Sequence, residues 1–264
     1  MTTIFFIKLF LSFLVGGSYI LISTIAADKL GSKIGGLITG LPSTVLFGLL
    51  FIGWTQTSEA SVEATTLIPA IIGVACLFLI TYVYLVKQNV WLAIFAAILV
   101  WAIAAYALIA AHITSFFISI TIFFVLFLVA HIFVTRILTI TTSKGNKIVY
   151  SPKIILLRGL FSGLIVALSV ILAKASSPLL GGIVSAFPAT FSSTLLITYF
   201  AHGPAFSASV AKNSLFAWVS TLVFVIVSRF TLQQFGILWG SLISLITCYI
   251  SAYFIYTYIV KKHA

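Results

Sequence analysis

The chain has 264 residues, of which 62% are hydrophobic and 6% charged, and its net charge is +11. A soluble domain is about a quarter charged, so composition excludes one and predicts an all-α polytopic membrane protein. The basic residues are scattered and form no continuous patch for phosphates, so no nucleic-acid partner is expected.

Nine spans are predicted, at about 4–27, 33–54, 61–86, 90–111, 115–138, 152–174, 178–201, 207–229 and 234–260. The first contains Lys8 and lacks both a preceding basic region and a small-residue cleavage site, so it is expected to be a retained helix. Short turns follow at Asp28–Ser32, Gln56–Glu59 and Lys87–Asn89, and the longest polar stretch is Thr139–Lys153. Cys76 and Cys248 lie inside apolar segments, where small packing residues are expected and neither a disulfide nor a metal site is. Gly236, Gly240 and Ser244 fall four apart, a spacing that suits close helix contacts.

Basic residues favour the cytoplasmic face. Lys29, Lys33, Lys87, Arg136, Lys144, Lys147, Lys153, Lys212, Lys261 and Lys262 fall on one side of the predicted topology, and Lys8, Lys174 and Arg229 on the other. The N-terminus is therefore expected outside and the C-terminus in the cytoplasm.

One pattern occurs twice. Gly35-Gly36-Leu37-Ile38-Thr39-Gly40-Leu41-Pro42-Ser43-Thr44 is matched, 146 residues later, by Gly181-Gly182-Ile183-Val184-Ser185-Ala186-Phe187-Pro188-Ala189-Thr190. Upstream, Lys8-Leu9-Phe10-Leu11-Ser12 matches Arg158-Gly159-Leu160-Phe161-Ser162 at an offset of 150. Downstream, Ala60-Ser61-Val62 resembles Ala208-Ser209-Val210. Spans one to four then correspond to spans six to nine. A fifth, joining span places the second unit upside down, which makes two inverted four-helix repeats. The expected division is 1–112 for the first repeat, 113–151 for the linking helix and cytoplasmic loop, and 152–264 for the second repeat.

The first half resembles the GlpM-like family of small bacterial inner-membrane proteins with about four helices. The resemblance lies in residues 35–44, in Glu63-Ala64-Thr65-Thr66, and in Val90-Trp91-Leu92-Ala93 through Trp101-Ala102-Ile103. It implies a bacterial-type inner membrane, with membrane lipids as surroundings, and brings no biochemical activity with it.

A Pro inside a membrane helix removes a donor and frees a carbonyl, which lipid does not satisfy. Two such breaks at matching positions in two halves point to a transport site. The expected binding residues are Thr39, Pro42, Ser43 and Thr44 on one wall, and Ser185, Pro188, Thr190 and Ser193 on the other, with Ser192 beside them. Lys8 and Arg158 are candidate access residues that snorkel to headgroups or attract an anionic substrate. Glu63 and Lys212 open equivalent spans and are candidate gates. His131 lies within a span without a nearby carboxylate, and the chain's acids are Asp28, Glu59 and Glu63, so a cycle on a buried carboxylate is not expected. There is no metalloprotease, paired-carboxylate or nucleophile-elbow pattern, and hence no enzyme, metal or cofactor is expected. The leading function is a transporter of a small solute or lipid, by alternating access between the Pro-broken helices. The alternative is a non-transporting membrane protein that supports an envelope assembly.

Overall fold

The computed structural model describes residues 3–39, 42–138, 140 and 151–258, with the side chains of 26–39 excepted. Most of the polar stretch 139–153 and the C-terminal lysines lie outside the described residues.

The described chain is helical: α1 Thr3–Thr39, α2 Ser43–Thr55, α3 Ser58–Ala64, α4 Ile68–Leu85, α5 Val90–Ala110, α6 Phe116–Ile132 with a π turn Phe133–Ile137, α7 Pro152–Ala175, α8 Pro178–Ser185 and α9 Ala189–Tyr258. Side-chain oxygens start several of them. Asn89 caps α5, Ser115 caps α6, Ser151 caps α7 and Ser177 caps α8, each accepting from backbone N–H groups of the first turn.

The expected nine spans are not what is found. Among the described residues six stretches are long and apolar enough to cross a membrane: Thr3–Ile25, Ser58–Leu85, Val90–Ala110, Phe116–Ile137, Pro152–Ala175 and Pro178–Tyr258. Three features account for the difference. Helix α1 runs on through Asp28–Ser32, where a turn was expected; the one Gly there costs a helix only about 1 kcal/mol. The break at Pro42 leaves α2 with 13 residues. The last stretch is 81 residues of nearly continuous helix.

That last stretch is folded back on itself twice. Gly203 (φ 81, ψ −179) and Gly236 (φ 73, ψ 176) adopt a backbone conformation essentially confined to glycine. Across Gly236, Thr231 Oγ1 donates to Gly240 O at 3.0 Å and lies 2.9 Å from Ser244 Oγ. Across Gly203, Thr198 Oγ1 donates to Ser207 Oγ at 3.0 Å. Residues nine apart in a straight helix would be separated by about 13 Å, so the chain reverses at both glycines. Helix α9 thus has three limbs, 189–202, 204–235 and 237–258.

Helix α4 lies in the middle of the molecule: within the span Ser58–Leu85, 83% of an 18-residue apolar stretch is buried. Around it α5, α6, α7 and the third limb of α9 turn large apolar side chains outward, among them Phe95, Phe117, Leu164 and Leu238. That is the surface lipid requires. Helices α1 and α7 cross tightly. A Cβ on Gly17 would stand 2.8 Å from Gly159 O, and one on Gly163 would stand 2.6 Å from Phe13 O. Residue numbers rise along α1 as they fall along α7, so the two run antiparallel through the crossing.

Candidate functional site

Both motif prolines are buried and both break a helix. Pro42 precedes α2, and its carbonyl accepts from Leu46 N at 2.7 Å. Ser43 and Thr44 follow it and are buried at 8% exposure each. Pro188 separates α8 from α9. The carbonyl it leaves without its usual partner, Val184 O, accepts instead from Phe187 N at 3.0 Å. Ser192 N and Ser192 Oγ both donate to Pro188 O, at 2.9 and 2.8 Å. Ser185 Oγ donates to Gly182 O, Ser193 Oγ to Thr190 O and Thr194 Oγ1 to Thr190 O. Ser192 therefore closes back on the broken backbone, the local device that lets irregular structure sit inside a membrane protein, while the neighbouring hydroxyls bond carbonyls of their own helices.

The structure brings the two motif regions together through small residues. A Cβ on Gly48 of α2 would meet Ser185 Cβ at 2.5 Å, and one on Gly182 of α8 would meet Ala64 O at 2.1 Å. Ser162 Oγ and Thr190 Oγ1 lie 3.4 Å apart. Next to them Arg158, only 3% exposed, donates from Nη2 to Thr194 Oγ1 at 3.1 Å. Thr39 falls in the segment whose side chains lie outside the described residues.

The other candidate access residues are dispersed. Lys8 Nζ donates to Trp54 O at 2.6 Å and lies 5.1 Å from the centre of the Trp54 ring. Glu63 is exposed at the end of α3. Lys212 Nζ donates to Ile140 O at 2.7 Å, and so ties the middle limb of α9 to the chain beyond α6. His131 is packed against Phe127 and Phe216. Among the described residues no group of three or more His, Cys, Asp or Glu side chains is placed to hold a metal ion.

Sequence reasoning missed two polar constellations. Arg229, treated only as a topology marker, donates from Nη1 to Val62 O, Thr65 Oγ1 and Thr66 Oγ1 at 3.0–3.2 Å, and its guanidinium lies 4.6 Å from the centre of the Phe116 ring. It holds the interruption between α3 and α4, and Ser119 Oγ accepts from Ala70 N just beyond. Pro69 in the first turn of α4 was the available signal. The second constellation is Tyr82, whose hydroxyl lies 2.6 Å from Ser207 Oγ.

Ser207 also corrects the repeat register. Ser207 Oγ donates to Leu195 O at 2.9 Å, and Ser61 Oγ donates to Leu49 O at 2.6 Å. The two bonds are one contact repeated at an offset of 146, so Ser61 corresponds to Ser207 and not to Ser209. The upstream offset of 150 recurs in the α1–α7 crossing, where Phe13 faces Gly163 and Gly16 faces Val166.

The comparisons with known proteins agree with this doubling. A family model described as "Protein of unknown function (DUF3147)" matches residues 9–116 and again residues 155–261. No curated protein and no solved structure matches the chain. One model matched twice, over most of the chain, makes this protein a member of the DUF3147 family in which the family unit is duplicated.

Proposed function

We propose that the chain is a transporter of a small solute or lipid, working by alternating access about a midplane site between the two Pro-broken helices. In this reading residues 1–112 and 152–264 are inverted four-helix repeats, and 113–151 supplies a linking helix and cytoplasmic loop. The three limbs of α9 each cross the bilayer. The protein sits in a bacterial-type inner membrane, N-terminus outside, and a kinship of the first half with the GlpM-like proteins belongs to the same proposal. No enzymatic step is part of it.

The observation that carries this reading is the α1–α7 crossing, in which Gly17 packs on Gly159 and Phe13 on Gly163, in opposite chain order. A pair of helices related by a two-fold axis along the membrane normal would run parallel; antiparallel contact favours an axis in the membrane plane. Inverted repeats of this kind place substrate at their interface, beside interrupted helices. Thr44 and Thr190 occupy the same place in the two copies, each two residues after its Pro.

The test is flux into proteoliposomes over a panel of small solutes and labelled lipids. Protein-dependent movement of at least one class is expected, and Thr44→Val and Thr190→Val, nearly isosteric, should reduce it while leaving the fold intact. A folded, oriented protein that moves nothing would sink the transport reading in favour of support for an envelope assembly. Normal flux in both variants would keep transport and remove the site.

A further inference from the structure

We propose that Arg158, Ser162, Thr190 and Thr194 form a binding site for an oxyanion, a phosphate or carboxylate group on the molecule that the protein carries. The inference rests on the transport reading and gives that site a substrate class. The common chemistry is a charge with two or more acceptor oxygens, on a soluble anion or on a lipid headgroup.

Three observations carry it. The first is depth. Arg158 stands six residues into α7, about 9 Å along its axis, and is 3% exposed. An ionised side chain within a membrane protein is costly to keep and typically lines a substrate or ion path. The second is company. Thr194 Oγ1 accepts from the guanidinium at 3.1 Å, and one helical turn away Ser162 Oγ and Thr190 Oγ1 lie 3.4 Å apart. Thr194 Oγ1 already donates to Thr190 O and so orients the guanidinium, while the Ser162–Thr190 pair keeps one hydroxyl proton to donate to an anion; Thr190, Ser193 and Thr194 are half-buried, so the hydroxyl wall reaches an accessible edge. A planar guanidinium beside hydroxyl donors suits an oxyanion, which it can bind in fork geometry.

The third observation is asymmetry between the repeats. Lys8 matches Arg158, but Lys8 turns to Trp54. Thr194 is matched by Gly48, whose position is filled by the close approach of Ser185. Among the described residues the first repeat thus offers neither the inward cation nor the hydroxyl at the matching positions.

The experiment is thermal unfolding of the purified full chain, titrated with inorganic phosphate, with succinate, or with phosphatidylglycerol against phosphatidylcholine in nanodiscs. Sodium chloride at matched ionic strength is the control. At least one oxyanion should raise the melting temperature of the parent protein. Arg158→Gln should weaken the apparent affinity by about tenfold or more, the loss expected when about 1.4 kcal/mol of charged hydrogen bonding goes. Arg158→Lys and Thr194→Val should weaken it less. A response to phosphate or succinate identifies a soluble anion, and one to phosphatidylglycerol alone a headgroup. No response in the parent, or an unchanged response in Arg158→Gln, overturns the proposal. Should Arg158→Gln not fold, unchanged responses in both Arg158→Lys and Thr194→Val overturn it equally. A purely structural Arg158 would change the melting temperature without changing its dependence on anion. Arg158-dependent binding without flux would remove the transport reading and leave the site; flux unaltered by Arg158→Gln would do the reverse.

Discussion

Ser61 and Ser207 make the same bond in the two halves, yet they do not carry the same load. Ser61 joins one pair, itself and Leu49 O. Ser207 joins Leu195 O, Thr198 and the buried Tyr82 hydroxyl. Side-chain hydrogen bonds between membrane helices are worth about 0.6 kcal/mol on average and up to about 1.7. Ser61→Ala should therefore cost near the average, and Ser207→Ala near the upper end, in equilibrium unfolding from a bilayer mimic. Equal losses would mean that the Tyr82 contact adds nothing. Gly182 offers a sharper contrast with propensity. Gly→Ala in a free helix stabilises by up to about 1 kcal/mol, but here the new Cβ would be 2.1 Å from Ala64 O. Overpacking of about 1–3 kcal/mol should win, so Gly182→Ala is expected to lower the melting temperature; a rise would show that α8 and α3 can part without loss.

At the scale of elements, the interruptions differ in how plainly the sequence announced them. Pro42 and Pro188 break their helices because a prolyl ring removes the donor and clashes with the preceding turn, and both breaks were legible. The interruption at Thr65–Leu67 was not, since its only mark is Pro69 and the side chain that donates to it, Arg229, is more than 160 residues away in the chain. Gly236 was grouped with Gly240 and Ser244 as a packing stripe. The latter two do pack on Thr231, whereas Gly236 is the reversal itself, a distinction carried by its positive φ and invisible in spacing. Arg229 gives the testable case. Arg229→Met removes three contacts to the α3–α4 interruption and should destabilise by about 1.5–3 kcal/mol, the range for hydrogen bonds to charged groups. Phe116→Leu, which removes only the ring face, should cost about 0.5–2. Protease susceptibility near residue 65 should rise in the first variant; if it does not, the interruption stands without its arginine.

For the molecule as a whole, the doubling was legible as two offsets, 146 and 150, but how the copies meet was not. The swap of large and small residues, Phe13 on Gly163 and Val166 on Gly16, becomes visible only when α1 and α7 touch. Those contacts bear on topology. Lys212 reaches Ile140 O while Arg229 reaches Val62 O, and the two cations sit 17 residues apart on one limb of α9. At 1.5 Å per residue that is about 25 Å, close to the roughly 30 Å of a hydrocarbon core, so in the proposed reading they mark opposite membrane faces. Lys212 shares its end with the chain leading into Lys144, Lys147 and Lys153, the richest basic stretch, and that end is expected in the cytoplasm. In the proposed reading α7, the α8 segment continued by the first limb of α9, and the two remaining limbs make four crossings from there. An even number returns the chain to the side it left. Reporter fusions at residue 146 and at the C-terminus should therefore both register cytoplasm, and an N-terminal tag should be accessible only from outside. Opposite reports from 146 and the C-terminus would require an odd number of crossings between them, in which case one limb of α9 does not span the bilayer. An N-terminal tag on the same side as residue 146 would place the two repeats in parallel, and the midplane site between inverted halves would go with it.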